Sequence, residues 1–134
     1  MSAVILYIED NPDNMTLVKR AIEAIGHKFV GVPNGLEGLE KAAEISPDLI
    51  LLDINLTDLD GYEIARRLRG SGIAHLLYVP IIAITANALK GDAEKALEAG
   101  CDVYMSKPIN IRELWSRVEG LLEATRGIKA RRSN

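Results

Sequence analysis

The sequence predicts a doubly wound α/β domain, with five parallel strands in one sheet and five helices flanking it. Three observations carry that prediction. Short, nearly all-apolar runs alternate with amphipathic stretches along the chain, and helix-capping residues stand where one gives way to the other. The length, 134 residues at 48% hydrophobic and 26% charged, also matches one ordinary globular domain.

The runs Val4–Ile8, Phe29–Val32, Leu49–Leu52, Val79–Ile84 and Val103–Met105 read as strands. Apolar residues at nearly every position, rather than every second one, suit a parallel sheet covered on both faces. Pro80 has no N–H to donate and fits only near the start of its strand. In the first helix Leu17, Val18, Ala21, Ile22 and Ile25 repeat at helical spacing, with Gly26 as the C-terminal stop. Three further helices open on capping boxes: Asn34 with Glu37, Asp60 with Glu63, and Asn110 with Glu113. In each, a short polar side chain accepts from backbone N–H groups and the Glu reaches back. The fourth helix spans about residues 89–99 and ends before Gly100. The fifth carries Ile111, Leu114, Val118, Leu121 and Leu122 on one side, with Trp115 adjoining.

The domain is expected to fill residues 1–125, leaving 126–134 as a basic, flexible tail and no room for a DNA-binding or enzymatic output domain. Sixteen basic residues face nineteen acidic ones, but Arg126, Lys129, Arg131 and Arg132 lie in a tail without acids. The body therefore carries twelve bases against nineteen acids, which argues against duplex DNA as a ligand. Cys101, the one cysteine, excludes an intrachain disulfide and a cysteine-clustered metal site. No apolar run reaches the roughly 18 residues of a membrane span, and the N-terminus lacks a signal peptide's basic start. The expected compartment is the cytoplasm.

In an open parallel sheet, ligands bind beyond the carboxyl ends of the strands, where the strand order switches. At those ends stand Glu9-Asp10, Asp53, Thr85-Ala86 and Ser106-Lys107-Pro108. Two carboxylates about 4 Å apart repel by roughly 4 kcal/mol at an effective dielectric near 20, so the cluster calls for a cation. Oxygen ligands without His or Cys select a hard ion such as Mg²⁺. Beside it, Asp53 is placed to attack phosphorus and form an aspartyl phosphate. Lys107 is placed to neutralise phosphoryl charge and Thr85 to donate a hydrogen bond, while the small Ala86 leaves room for a donor.

The set Glu9-Asp10-Asn11, Asp53, Asn55, Asp60-Gly61, Thr85-Ala86, Tyr104 and Lys107-Pro108 resembles the CheY-like receiver domain of two-component response regulators over residues 3–125. That resemblance implies a flavodoxin-like fold and a Mg²⁺ site in which Asp10 and Asp53 bind directly, Glu9 binds through water and the Asn55 carbonyl adds a ligand. It implies Asp53 as phosphoacceptor, Thr85 and Lys107 as phosphoryl sensors, Tyr104 as an aromatic switch coupled to Thr85, and Asn55 and Asn87 as tuners of phosphoryl lifetime. The implied phosphodonor is a sensor histidine kinase or histidine phosphotransfer protein. A downstream protein would read the face of the fourth helix, fifth strand and fifth helix. Such a domain catalyses only its own phosphorylation and dephosphorylation. The stretch from Thr85 to Asp92 and on to Cys101 is similar to DivK-type stand-alone receivers and to receivers of hybrid kinases. One departure is Thr57, where the family often has a loop-stiffening Pro.

Two other readings compete. A haloacid-dehalogenase-like phosphatase also uses Asp and Mg²⁺, but needs a second carboxylate where Asn55 stands. A docking module independent of phosphorylation would have no use for the intact acid set. His27 and His75 lie away from the acids and read as packing or surface residues, Cys101 as a small apolar residue, and Gly70-Ser71-Gly72 as a loop.

Overall fold

The computed structural model describes residues 2–86 and 91–132, with side chains as far as Thr125. In chain order the elements are β1 (Val4–Ile8), α1 (Pro12–Ala24), β2 (Lys28–Val32), α2 (Gly35–Ile45), β3 (Leu49–Asp53), α3 (Gly61–Arg69), α4 (Ala74–Tyr78), β4 (Ile81–Thr85), α5 (Asp92–Ala99), β5 (Val103–Ser106) and α6 (Ile111–Arg132). One sheet, every pairing parallel, takes the order β2-β1-β3-β4-β5. The order reverses at β1, so the crevice beyond the ends of β1 and β3 is the switch point. Glu9-Asp10 follow one of those strands and Asp53 closes the other.

Alternation along the strands splits the core in two. Leu6, Ile8, Ile50, Leu52, Ile81 and Ala83 face α2, α3 and α5, meeting Ala42, Ile64, Leu68 and Ala96. Ile5, Tyr7, Leu49, Leu51, Ile82 and Ile84 face α1 and α6, meeting Val18, Ile22, Leu114 and Val118. All five residues of β3 and of β4 are buried, each large aliphatic contributing on the order of 2 kcal/mol of transfer free energy.

The helix ends follow local chemistry. Asn11 caps α1 by accepting from the Asn14 N–H, and Gly26, at φ +83°, takes the left-handed turn after it. Asn34 accepts from the Glu37 N–H at 2.9 Å, and its amide donates to the Glu37 carboxylate at 3.2 Å, so that box closes side chain to side chain. Asn110 accepts from the Glu113 N–H. Asp60 departs from the predicted box, accepting from Tyr62 two residues on rather than from Glu63.

Other boundaries differ too. A sixth helix, α4, occupies part of what reads as a loop and the start of a strand: Val79 caps it and β4 begins only after Pro80. Five residues are too few to show a periodicity. α6 continues through residues 126–132 as far as Arg132. No proline interrupts residues 126–132, and Arg, Lys and Ala there favour helix. The start predicted for the fourth helix at residue 89 falls outside the described residues, and α5 begins at Asp92.

Candidate functional site

β1 ends by hydrogen-bonding to its neighbour, the Glu9 N–H donating to the Val32 carbonyl at 3.1 Å, and this fixes where the acid pair emerges. Glu9, Asp10 and Asp53 each offer a carboxylate oxygen within 4.8 Å of the others. Glu9 and Asp53 are each 1% exposed, and Asp10 is the most open of the three.

Lys107 reaches back into the cluster from the end of β5. Its backbone N–H donates to the Thr85 carbonyl at 2.8 Å, which anchors the loop. Its Nζ lies 3.3 Å from Glu9 Oε1 and 3.2 Å from Asp53 Oδ1, bridging the buried acids. Asp53 Oδ1 also accepts from the Asn55 N–H at 3.0 Å. The Asn55 side chain turns the other way: its Oδ1 accepts from Thr85 Oγ1 at 3.3 Å and from the Ala86 N–H at 2.9 Å, tying the loop after β3 to the end of β4. Tyr104 is half-buried, pairs in register with Ala83 and packs on the same side of the sheet as Ala83, the side to which Thr85 also belongs by alternation. Asn87 lies outside the described residues.

The electrostatics reflect this crowding. Burial first, and then the neighbouring Asp53, push the Glu9 carboxyl up to about 7, against the opposing pull of Asn14 and Lys107. Burial lowers the Lys107 ammonium, but Asp53 and Glu9 outweigh it and the net direction is up. One Glu9 oxygen, Oε1, takes hydrogen bonds from Asn14 Nδ2 at 2.6 Å and from Lys107, whereas buried Oε2 has no partner. Three carboxylates brought together without His or Cys make a donor set suited to a hard cation.

A pH dependence follows. A carboxyl bound more tightly to its proton when folded, about 7 against 4.5 in the reference state, favours folding at low pH and loses that contribution as pH rises from about 4.5 to about 7. Without divalent metal, the stability of the natural chain relative to Glu9→Gln should therefore fall across that window by on the order of 2 kcal/mol, as read from urea unfolding at a series of pH values. A flat difference would show that Glu9 does not carry the excess proton affinity.

Residues 5–119 match the response regulator receiver domain family. The chain belongs to that family. The receiver is 39% identical over 122 residues to the polar-differentiation response regulator DivK of Brucella anthropi, covering 91% of this chain and 98% of that one. It is 36% identical, at a TM-score of 0.83, to the receiver domain of a sensor histidine kinase of Pseudomonas aeruginosa, solved with a magnesium ion coordinated in its active site cleft; the match covers 92% of this chain and 99% of that one. A CheY-like receiver of Methanospirillum hungatei superposes at a TM-score of 0.86 with 25% identity, covering 95% and 98%. Response regulator receivers belong to two-component signalling, and both the predicted family and the predicted fold hold.

Several residues around the pocket escape a reading by strand ends. Asn14, one turn into α1, holds Glu9. Asp58 accepts from the Gly35 and Leu36 N–H groups at 2.9 and 3.1 Å, pinning the loop after β3 to the start of α2. Partial burial pushes its carboxyl up, but those N–H groups prevail and hold it below the ordinary range. The loop with Thr57 in place of a proline is thus held by its neighbour. Tyr7, part of an apolar run by sequence, is fully buried and carries a hydroxyl without a hydrogen-bond partner. His27 accepts from the Ala3 N–H at 3.0 Å and meets Glu119, and His75 meets the Pro47 carbonyl; both are packing residues, as expected. Cys101 is buried in the core, and burial pushes its thiol up to about 12. Among the described residues no helix is long and apolar enough to cross a membrane.

Proposed function

We propose that this receiver accepts a phosphoryl group on Asp53, with Glu9, Asp10, Asp53 and the Asn55 backbone carbonyl holding Mg²⁺. The observation that carries the reading is the convergence of three carboxylates within 4.8 Å with one ammonium bridging the two buried ones. When bound, the cation supplies Lewis-acid neutralisation of phosphoryl oxygens. Asp53 closes its strand at the pocket, and one carboxylate oxygen forms the new bond to phosphorus as the P–N bond of a phosphohistidine breaks. The imidazole leaves with that electron pair and takes a proton from solvent. Lys107, already within ion-pair distance of Asp53, moves its charge to the phosphoryl group, and Thr85 exchanges Asn55 for a phosphoryl oxygen.

The added group brings about −1.5 to −2 charges at neutral pH. Drawing Thr85 inward vacates space on the face it shares with Tyr104, and Tyr104 follows as the switch. The surface so altered consists of α5, β5 and α6, the first of these being the fourth helix of the sequence reading. A downstream protein reads it, and a sensor histidine kinase or histidine phosphotransfer protein is the donor in the cytoplasm. Asn55, which bridges β3 and β4, and Asn87 tune the phosphoryl lifetime. The domain turns over no separate substrate, and the acid a dehalogenase-like phosphatase would need is Asn55.

The test is intact mass after incubation with acetyl phosphate. One added phosphoryl group is expected with Mg²⁺ and none in EDTA; no gain with Mg²⁺ present would overturn the proposal.

A further inference from the structure

Among the described residues, two buried side-chain polar atoms have no hydrogen-bond partner: the Tyr7 hydroxyl and Glu9 Oε2. They belong together. Tyr7 lies in β1 on the α1 and α6 face, and Glu9, two residues on, continues the strand pairing through its N–H to Val32, so alternation gives it the same side. One atom is a donor lacking an acceptor and the other an acceptor lacking a donor. The Tyr7 ring is held from below, fully buried among Ile5, Val18, Ile22 and Leu51, with Phe29 edge-on at 6.3 Å between centroids. A phenol is a hydrogen-bond donor at neutral pH, and the carboxylate that emerges directly after β1, two residues on, belongs by alternation to the same side of the sheet. A purely apolar role would not call for a hydroxyl, since Phe or Leu would fill the same volume without a buried orphan O–H.

Resting on the Mg²⁺ site proposed above, we infer that Tyr7 is a positioning residue for that site, its hydroxyl donating to Glu9 Oε2 from below and so orienting the carboxylate toward the cation. Asn14 and Lys107 hold the Oε1 side of the same carboxylate. Tyr7 supplies the missing third restraint, the usual arrangement in which a ligating carboxylate is itself hydrogen-bonded from behind. The base of the pocket then belongs to the core, and the metal site is supported by a rigid strand rather than by its loops.

The test is Mg²⁺ affinity by titration calorimetry for the natural chain, Tyr7→Phe, Glu9→Gln and the double variant, with urea unfolding of each in EDTA. Tyr7→Phe keeps the ring and removes one oxygen, so the metal-free chain should still unfold in one cooperative transition while Mg²⁺ affinity falls about tenfold. Because Tyr7 acts through Glu9, the Phe substitution should have no further effect once Glu9→Gln is already in place. Equal affinity of Tyr7→Phe and the natural chain overturns the inference while leaving the Mg²⁺ site standing, as does an undiminished effect in the double variant. A natural chain that binds no Mg²⁺ overturns both.

Discussion

Asp53→Asn is expected to take up no phosphoryl group under conditions that saturate the natural chain, and to be the more stable protein in the absence of metal. The two effects share one cause. Asn has the shape of Asp, so its Oδ1 still accepts from the Asn55 N–H, now at 3.0 Å, and still faces Lys107. What disappears is the negative charge, and with it the nucleophile: an amide oxygen shares its electron pair with nitrogen and does not displace imidazole from phosphorus. The same lost charge is one of three acids gathered within 4.8 Å around one ammonium. Removing it leaves Lys107 to serve Glu9 alone and relieves a repulsion felt inside the fold, where Glu9 and Asp53 are both 1% exposed. Metal-free stability should rise by about 1–2 kcal/mol, the usual sign when a functional residue is traded away, and Mg²⁺ should stabilise the variant far less than the natural chain. Intact mass and urea unfolding with and without Mg²⁺ check both parts. A phosphoryl gain equal to that of the natural chain would move the acceptor elsewhere in the cluster, and a loss of stability would mean that the Lys107 pairing outweighs the repulsion.

The parts of this site that are legible in the sequence are those that depend on strand ends. Continuous apolar runs mark the strands, the first polar residue after each marks its end, and a parallel sheet brings all such ends to one edge. Glu9, Asp10, Asp53, Thr85 and Lys107 follow from that rule. Residues that reach the site from elsewhere have no such signature. Asn14 meets Glu9 because a turn of α1 folds back over it, and Asp58 meets Gly35 across 23 residues of chain. Tyr7 hides because hydrophobic patterning counts a tyrosine as apolar, although a lone hydroxyl in an otherwise aliphatic strand, two residues before a site acid, is a signal that can be read. Helix α4 is too short for periodicity: Leu76 alone enters the core, and its backbone is held by a group from another helix. That holding group is Arg69.

Arg69→Ala is expected to remove about 3–5 kcal/mol of stability while leaving the Mg²⁺ affinity of the folded protein unchanged. Closing α3, the guanidinium places all five of its N–H groups on acceptors from two other segments, α4 with its C-cap and the turn before β5. Nε and Nη2 donate to the Gly100 carbonyl at 3.0 and 2.8 Å, Nη1 to the Leu76 and Val79 carbonyls at 2.9 and 2.7 Å, and Nη2 also to Asp102 at 3.1 Å. Asp102 in turn accepts from the Ile81 N–H at 2.8 Å, so one side chain joins the end of α3, the middle and C-cap of α4, the start of β4 and the turn before β5. Gly100, at φ +107°, completes the fit: a Cβ there would come within 2.7 Å of Arg69 Cγ. Hydrogen bonds to a charged donor contribute about 1.5–3 kcal/mol each at most, and part of that loss is offset where water reaches the vacated carbonyls. Arg69→Lys should recover little, because one ammonium cannot reach acceptors spread across a planar fork. The clamp sits at the amino ends of β4 and β5, whereas the acids sit at the carboxyl ends, five residues or roughly 16 Å away along the strands. Urea unfolding reads the first expectation and Mg²⁺ calorimetry the second. A change in metal affinity with Arg69→Ala would show that the two sheet edges are coupled, and retained stability would show that α3 and α4 are held by their apolar faces alone.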